Sequence, residues 1–263
     1  DVRAWYATYY GPNNSVLSLA GDITADRALE LVKKYFDGIA PGPPVAQLER
    51  WVPRLDTNIR EEMQERVPQT RIHRVYHAPA WTDPDLEAVD LIASVLSGSR
   101  SARLDRRLVY DQDLATAVTA YVSASELASM FVVEATVKSG VETARVEEML
   151  DRTIADFLQQ GPTEVELQRA RTRALSAFSR GTERLGGFGG RSDILAQAMT
   201  YDGASDGYLA HLERTARATS ADVKAAATRW LTRPHYTLVV TPFPALAPAQ
   251  STLDRSVLPP LGP

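Results

Sequence analysis

Two histidines four residues apart, His73 and His77 in the run HRVYH, form the most suggestive pairing in the chain. On a helix such a pair shares one face about 5–6 Å apart, where it can hold a zinc ion, with an acid before the second histidine as the general base. Tyr76 stands where that acid would be. Ile72, Val75 and Tyr76 favour a strand, and Pro79 pushes Ala78 away from helical dihedrals. On a strand rising about 3.3 Å per residue the two rings stand about 13 Å apart, so the run predicts β-structure and no metal site. His211 and His235 have no ligand-type neighbour at a useful spacing and read as structural or solvent-exposed.

The run RLGGFGGRSD, Arg184 to Asp193, offers backbone amides of the kind that cradle a phosphate. A dinucleotide fingerprint follows a strand, opens a helix and keeps the spacing G-x-G-x-x-G. This run follows a long helical pattern and misses that spacing, so it reads as a flexible break between two helices. Glu147, Glu148, Asp151 and Asp156 alternate with Arg145 and Arg152 as a solvated helix face does.

The 263 residues, 44% hydrophobic and 24% charged, suffice for one large domain or two modest ones. A net charge of -4 supplies no general pull toward phosphates, which excludes nucleic acid as a partner. No stretch reaches the roughly 20 apolar residues of a membrane span, and the opening DVRAWYATYY lacks the apolar centre of a secretory signal. Zero cysteines exclude disulfides, thiolate zinc sites and a cysteine nucleophile. They fit periplasm and cytoplasm equally, so localisation is unknown between the two.

The elements that must position these residues follow from local pattern. DVRAWYATYYGPNN reads as the last turns of a helix entering a turn, with no start signal, as in a fragment whose first part is missing. Val16 to Ala20 predicts a strand. A helix starting at Thr24 follows, with Ala28, Leu29, Leu31, Val32, Tyr35 and Phe36 as its buried stripe. Pro41, Pro43, Pro44 and Pro53 make regular structure improbable from 41 to 58, which is assigned as a linker. Ile59 to Met63 and Arg71 to His77 predict strands. A helix capped by Asp83, with Pro84 in its first turn, carries Val89, Ile92, Val95 and Leu96 inward and stops at Gly98.

A second helix is predicted over Ala102 to Tyr110, then strands over Thr116 to Val122 and Met130 to Val137. Val146, Leu150, Ile154 and Phe157 share one helix face that ends at Gly161-Pro162. Thr163 with Glu166, and Thr219 with Asp222, read as capping boxes opening later helices. His235 to Val240 forms a last strand. Strands grouped before helices predict an α+β fold: a two-layer sandwich of a mostly antiparallel sheet with helices packed on one face.

Three ordered blocks carry a family resemblance: YYGPNNSVLSLAGDI, LSGSRSARLDRRLVYDQDLATAVTA and ERLGGFGGRSDILA. Together they resemble the pitrilysin or insulinase type of zinc peptidase, which includes the mitochondrial processing peptidase, over nearly all of residues 1 to 245. The resemblance implies two similar halves, each of two α+β domains, closing around an unfolded peptide, with an HxxEH helix and a distant glutamate holding zinc in one half. Residues 1–40 would be the tail of the preceding zinc-type domain, 41–58 the linker, 59–245 a non-catalytic companion domain, and 246–263 a tail or linker.

On that resemblance no catalytic residue and no metal ligand can be placed in this chain. No cofactor is expected in it, and zinc is expected in the parent protein. The family's substrate-holding arginine and tyrosine, in a pattern like LRxxxxLxY, align with Val109 and Thr116, so neither the guanidinium nor the phenol is present. That departure places the domain beside the active one, in the zinc-bearing half. Gly98, Ser99, Ser101 and Arg103 are the candidates for a chamber surface near peptide, because small residues permit backbone approach. The implied partners are a peptide substrate and a second homologous half, on the same chain or a separate subunit. The alternative is a structural or binding member of the same fold with no peptidase activity, as in respiratory-complex core proteins.

Overall fold

A computed structural model of the chain describes residues 1–46, 48–49 and 51–244. The expected tail or linker at 246–263 lies outside the described residues.

Among the described residues five strands build one sheet: β1 (Ile59–Glu65), β2 (Arg71–Ala78), β3 (Ala115–Ser123), β4 (Ser129–Val137) and β5 (Tyr236–Pro242). Their order is β1-β5-β2-β4-β3, parallel between β1 and β5 and antiparallel at every other seam. The period-2 alternation decides the faces. β2 turns Ile72, Arg74, Tyr76 and Ala78 inward, and β4 turns Phe131, Val133, Ala135 and Val137 inward. HRVYH therefore lies on a strand, with His73 and His77 on the face away from the core.

The helices α3 (Leu86–Leu96), α4 (Thr143–Gln160), α5 (Glu164–Thr182) and α8 (Ser220–Leu231) close the inward face. Val89, Ile92 and Leu96 of α3 meet Leu150 and Phe157 of α4, Leu167 of α5, and Ala226 and Trp230 of α8 in one core with Ile72 and Phe131. The fold is α+β, with a mostly antiparallel sheet and its helices on one face. Shorter α6 (Arg191–Gln197) and α7 (Tyr208–Arg217) complete this layer, with α7 against α3 and α5. Both capping boxes are present: Thr163 and Thr219 each accept from a backbone amide three residues on, and Glu166 and Asp222 return the bond.

Several local expectations change. α3 begins at Leu86 because the Asp83 carboxylate accepts the Asp85 amide at 2.9 Å and makes a turn first. The predicted helix over Ala102 to Tyr110 opens into a π-helical turn at Asp105–Asp111, where the Gln112 amide reaches the Arg107 carbonyl at 3.2 Å. The acidic face of α4 is not simply solvated. Asp151 pairs with Arg74, Glu147 with Arg60 at 3.0 Å, and Asp156 with Arg107 at 2.7 Å, so three of its carboxylates take arginines from other elements.

The largest correction lies in residues 1–40. α1 (Val2–Tyr9) and α2 (Ala25–Phe36) form, and Thr24 caps α2 by accepting the Arg27 amide at 3.3 Å. Val16 to Ala20 forms no strand, because extended backbone becomes a strand only with a hydrogen-bonded neighbour and the described residues supply none. The stripe of α2 is not buried: Leu29 is 53% and Tyr35 64% exposed. No helix or strand covers residues 37–58 among those described.

Candidate functional site

The loop after α3 folds as a cleft against α5. Gly98 adopts φ +100°, a left-handed conformation, and a Cβ there would come within 2.7 Å of an Arg173 guanidinium nitrogen. Its amide donates to Asp105 at 3.1 Å, and its carbonyl accepts from Arg173. Ser99 and Ser101 face each other at 3.3 Å between hydroxyl oxygens, and Arg169 donates to Ser101 at 3.5 Å. The cavity of about 340 Å³ has Ser99, Ser101, Arg169 and Arg173 in its wall and no histidine. Glu166 also lines the cavity, and the hydroxyls and guanidinium groups of this wall are donors that can hold a carbonyl or carboxylate.

Arg103 does not share the freedom of the two serines. Its guanidinium makes a two-pronged pair with Glu166, 2.8 Å on each prong, donates to the Gly161 carbonyl at 2.7 Å, and lies 5.0 Å over the Phe157 ring. Burial pushes the Glu166 carboxyl up, but the bonds from Arg103 and Thr163 outweigh it and hold its pKa at about 2. Arg103 thus ties the loop to the start of α5.

The outer face of the sheet carries a second polar group. His73 Nδ1 lies 3.3 Å from Glu134, its register partner on β4, and the Tyr121 hydroxyl donates to the same carboxylate at 3.1 Å. His77 sits opposite Met130, with no acid across the seam. Burial, aided by Arg233, lowers the His77 pKa, which favours a neutral ring. Among the described residues no group of three or more His, Cys, Asp or Glu could hold a metal ion.

The third cluster was invisible from spacing. On the helical side, His211 of α7 stands between Glu87 of α3 on Nδ1 and Asp202 on Nε2, the latter at 3.0 Å. Arg214 grips Glu87 at 2.7 and 2.9 Å, and the Trp81 indole donates to Asp202 at 2.9 Å. The bond to Glu87 leads in raising the His211 pKa, against the opposing effect of burial, with Asp202 adding to the rise. Glu87 and His211 are 124 residues apart in sequence, so no local pattern could announce the pairing.

The described residues define a two-layer α+β sandwich, a mostly antiparallel sheet with helices on one face. Residues 1–174 match the family described as the peptidase M16 inactive domain, and the chain belongs to that family. Among curated relatives, a zinc protease PqqE of Helicobacter pylori is 24% identical over 126 residues, covering 44% of this chain and 27% of its own. A protease from Helicobacter pylori superposes with a TM-score of 0.80 at 18% identity, over 92% of this chain and 58% of that one. A peptidase M16 inactive domain from Pseudomonas fluorescens gives 0.76 at 21% identity, over 94% and 58%. Complex III from Candida albicans gives 0.71 at 15% identity, over 91% and 57%. The chain therefore spans about a quarter of that curated relative and just under three-fifths of these structures. Among the described residues no helix is long and apolar enough to cross a membrane.

Proposed function

We propose that residues 59–245 form a companion domain that walls the peptide-enclosing chamber of a zinc metalloendopeptidase. The zinc would be held by an HxxEH domain whose ligands lie outside this chain, with residues 1–40 as the tail of that domain and 41–58 as the link between the two. The match of residues 1–174 to the peptidase M16 inactive domain carries this reading, and the zinc protease name of the Helicobacter relative supports it. In the zinc enzyme the metal would polarise the scissile carbonyl and activate water. This chain's part would be to bind and orient the peptide and to exclude water. The Gly98–Ser101 segment would meet peptide through the Ser99 and Ser101 hydroxyls, and Arg103 would act as a positioning residue that holds the loop on Glu166. A second homologous half, on the same chain or another, would close the chamber.

The test joins this chain to the HxxEH-bearing remainder of its parent. The expected result is stoichiometric zinc and peptide cleavage by the joined protein, and neither by this chain alone. In the joined protein, Ser99→Trp together with Ser101→Trp should raise KM for a peptide while leaving the zinc content unchanged. One tightly held zinc per isolated chain would overturn the assignment. The likeness to Complex III supports a second reading, a structural member of the fold without hydrolysis. Loaded, folded joined protein that cleaves no unfolded peptide would select it.

A further inference from the structure

The arginines of α5 divide by what they meet. Arg171 pairs with Glu164 at 2.7 Å and donates to the Ala218 carbonyl at 3.3 Å. Arg169 and Arg173, one helical turn apart in the wall of the loop cleft, meet no carboxylate among the described residues. Glu166 stands three residues before Arg169, within reach on a helix, but Arg103 engages both of its oxygens. Ala170, Ser176 and Ala177 occupy the helical positions where Arg173 could find an acid. Like charges four residues apart repel and weaken a helix. The other charges beside the cleft are Arg100, 4.6 Å over the Tyr110 ring, and Asp105, which accepts the Gly98 amide at 3.1 Å. Arg100, Arg103, Arg169 and Arg173 against Glu166 and Asp105 leave the cleft positive, in a chain whose net charge is -4.

We propose that this cleft binds a peptide carboxylate, carried by a Glu or Asp side chain or by the peptide's own C-terminus. Peptide as the carrier rests on the reading that this wall meets substrate, and an unmodified peptide has no other anionic group at neutral pH. Arg169 uses one donor on the Ser101 hydroxyl at 3.5 Å, and Arg173 uses one on the Gly98 carbonyl. A guanidinium carries five N–H donors in a planar fork, so each retains donors for a carboxylate, in the two-pronged geometry that Arg103 makes with Glu166. The Ser99 and Ser101 hydroxyls, 3.3 Å apart, add donors that can rotate toward the same group. A carboxylate held between Arg169 and Arg173 would also relieve their repulsion along α5. The cleft, about 340 Å³, lies at the low end of the range for ligand sites and suits one acidic side chain with its adjoining backbone. A lysine or arginine side chain would meet like charge there.

Ligand-observed NMR on the full 263-residue chain tests this with capped tripeptides in two arms. One compares acetyl-Ala-Glu-Ala-amide with its Gln counterpart, and the other compares acetyl-Ala-Ala-Ala as the free acid with its amide. In at least one arm the acid should bind about tenfold more tightly than its uncharged twin, the worth of one charge-assisted pair, and the arm that shows it identifies the source. The preference should shrink as salt rises from about 0.05 M to about 0.5 M. Arg169→Gln should reduce it, and Arg169→Gln with Arg173→Gln should erase it. Arg152→Gln, an equal charge change on the exposed side of α4, should leave it intact. Both α5 side chains are exposed, thermal melts establish that each variant folds, and the comparison on the unaltered chain needs no variant. Equal affinities in both arms, no acid binding up to about 10 mM, or a preference that survives the high salt or the folded double variant would each overturn the proposal. No zinc enters this assay, which separates it from the cleavage test. Carboxylate binding with no cleavage by the joined protein would sustain the site and remove the companion reading, and cleavage with equal affinities would do the reverse.

Discussion

Residues 1–40 and 59–242 solve the same local problems with opposite results. Both contain amphipathic helices with side-chain caps, Thr24 on α2 and Thr163 on α5. In the second region the apolar stripes meet a sheet, and Ile72, Phe131, Leu150 and Phe157 are wholly buried. In the first they meet nothing comparable among the described residues: no residue of α1 or α2 is buried there, and Val16 to Ala20 pairs with no described strand. The contrast teaches that amphipathicity states a requirement for a partner surface and does not supply one. A helix of 12 residues is marginal without such a surface, so the two regions should differ sharply in how much stability each side chain carries.

The largest test of that contrast is a pair of truncations. Phe131→Ala in the core should cost about 3–5 kcal/mol in denaturant unfolding, whereas Leu29→Ala on α2 should change the main transition by less than about 0.5 kcal/mol. Similar losses for both would break the comparison. Next comes Arg103→Ala, which removes the pair with Glu166 and the bond to Gly161 and should cost about 2 kcal/mol. Its pH signature sharpens it. Glu166 ionises at about 2 in the folded chain against an ordinary 4.5, so its stabilisation is complete above 4.5 and is lost as pH falls toward 2. Melts of the Arg103→Ala chain should show a shallower acid limb.

On the alkaline side, His211 has a folded pKa raised above its ordinary 6.5 by the bond to Glu87 first and to Asp202 next, with burial opposing. Its contribution is complete below 6.5 and is lost as pH rises through the raised value. His211→Gln should remove that slope, and a slope that persists would assign it to another group. The smallest effect compares like with like. Thr163→Ala should cost about 1 kcal/mol of global stability, the usual worth of an N-cap. Thr24→Ala, the same deletion, should leave the main transition in place and speed amide exchange in α2 alone.

Much of the fold was legible because the signals were local. Pro79 and the β-branched run around Val75 put HRVYH on a strand, and the Thr163–Glu166 and Thr219–Asp222 boxes opened helices where the pattern placed them. The end of α4 at Gly161, with φ +72°, follows from a conformation that glycine adopts without strain. The strand expected at Val16 to Ala20 failed because β-structure needs a neighbour that its own residues cannot supply. The helix expected over Ala102 to Tyr110 opened into a π turn at Asp105–Asp111, a departure that helical periodicity alone does not announce.

The candidate surfaces divide in the same way. The small residues of Gly98 to Ser101 marked a backbone that can be approached closely, but the commitment of Arg103 to Glu166 depends on α5 arriving alongside. The cluster of Trp81, Glu87, Asp202 and His211 carries no sequence signature, since its members come from three stretches of chain. By itself the sequence determined most of the helices and strands, which face of each is apolar, and that HRVYH lies on a strand, because these rest on interactions within a few residues. Only the tertiary structure decided which apolar faces were covered, which carboxylates met arginines, and that Asp202 would meet Trp81 and His211. Those outcomes depend on packing between elements far apart in the chain, and no spacing of neighbouring residues encodes them.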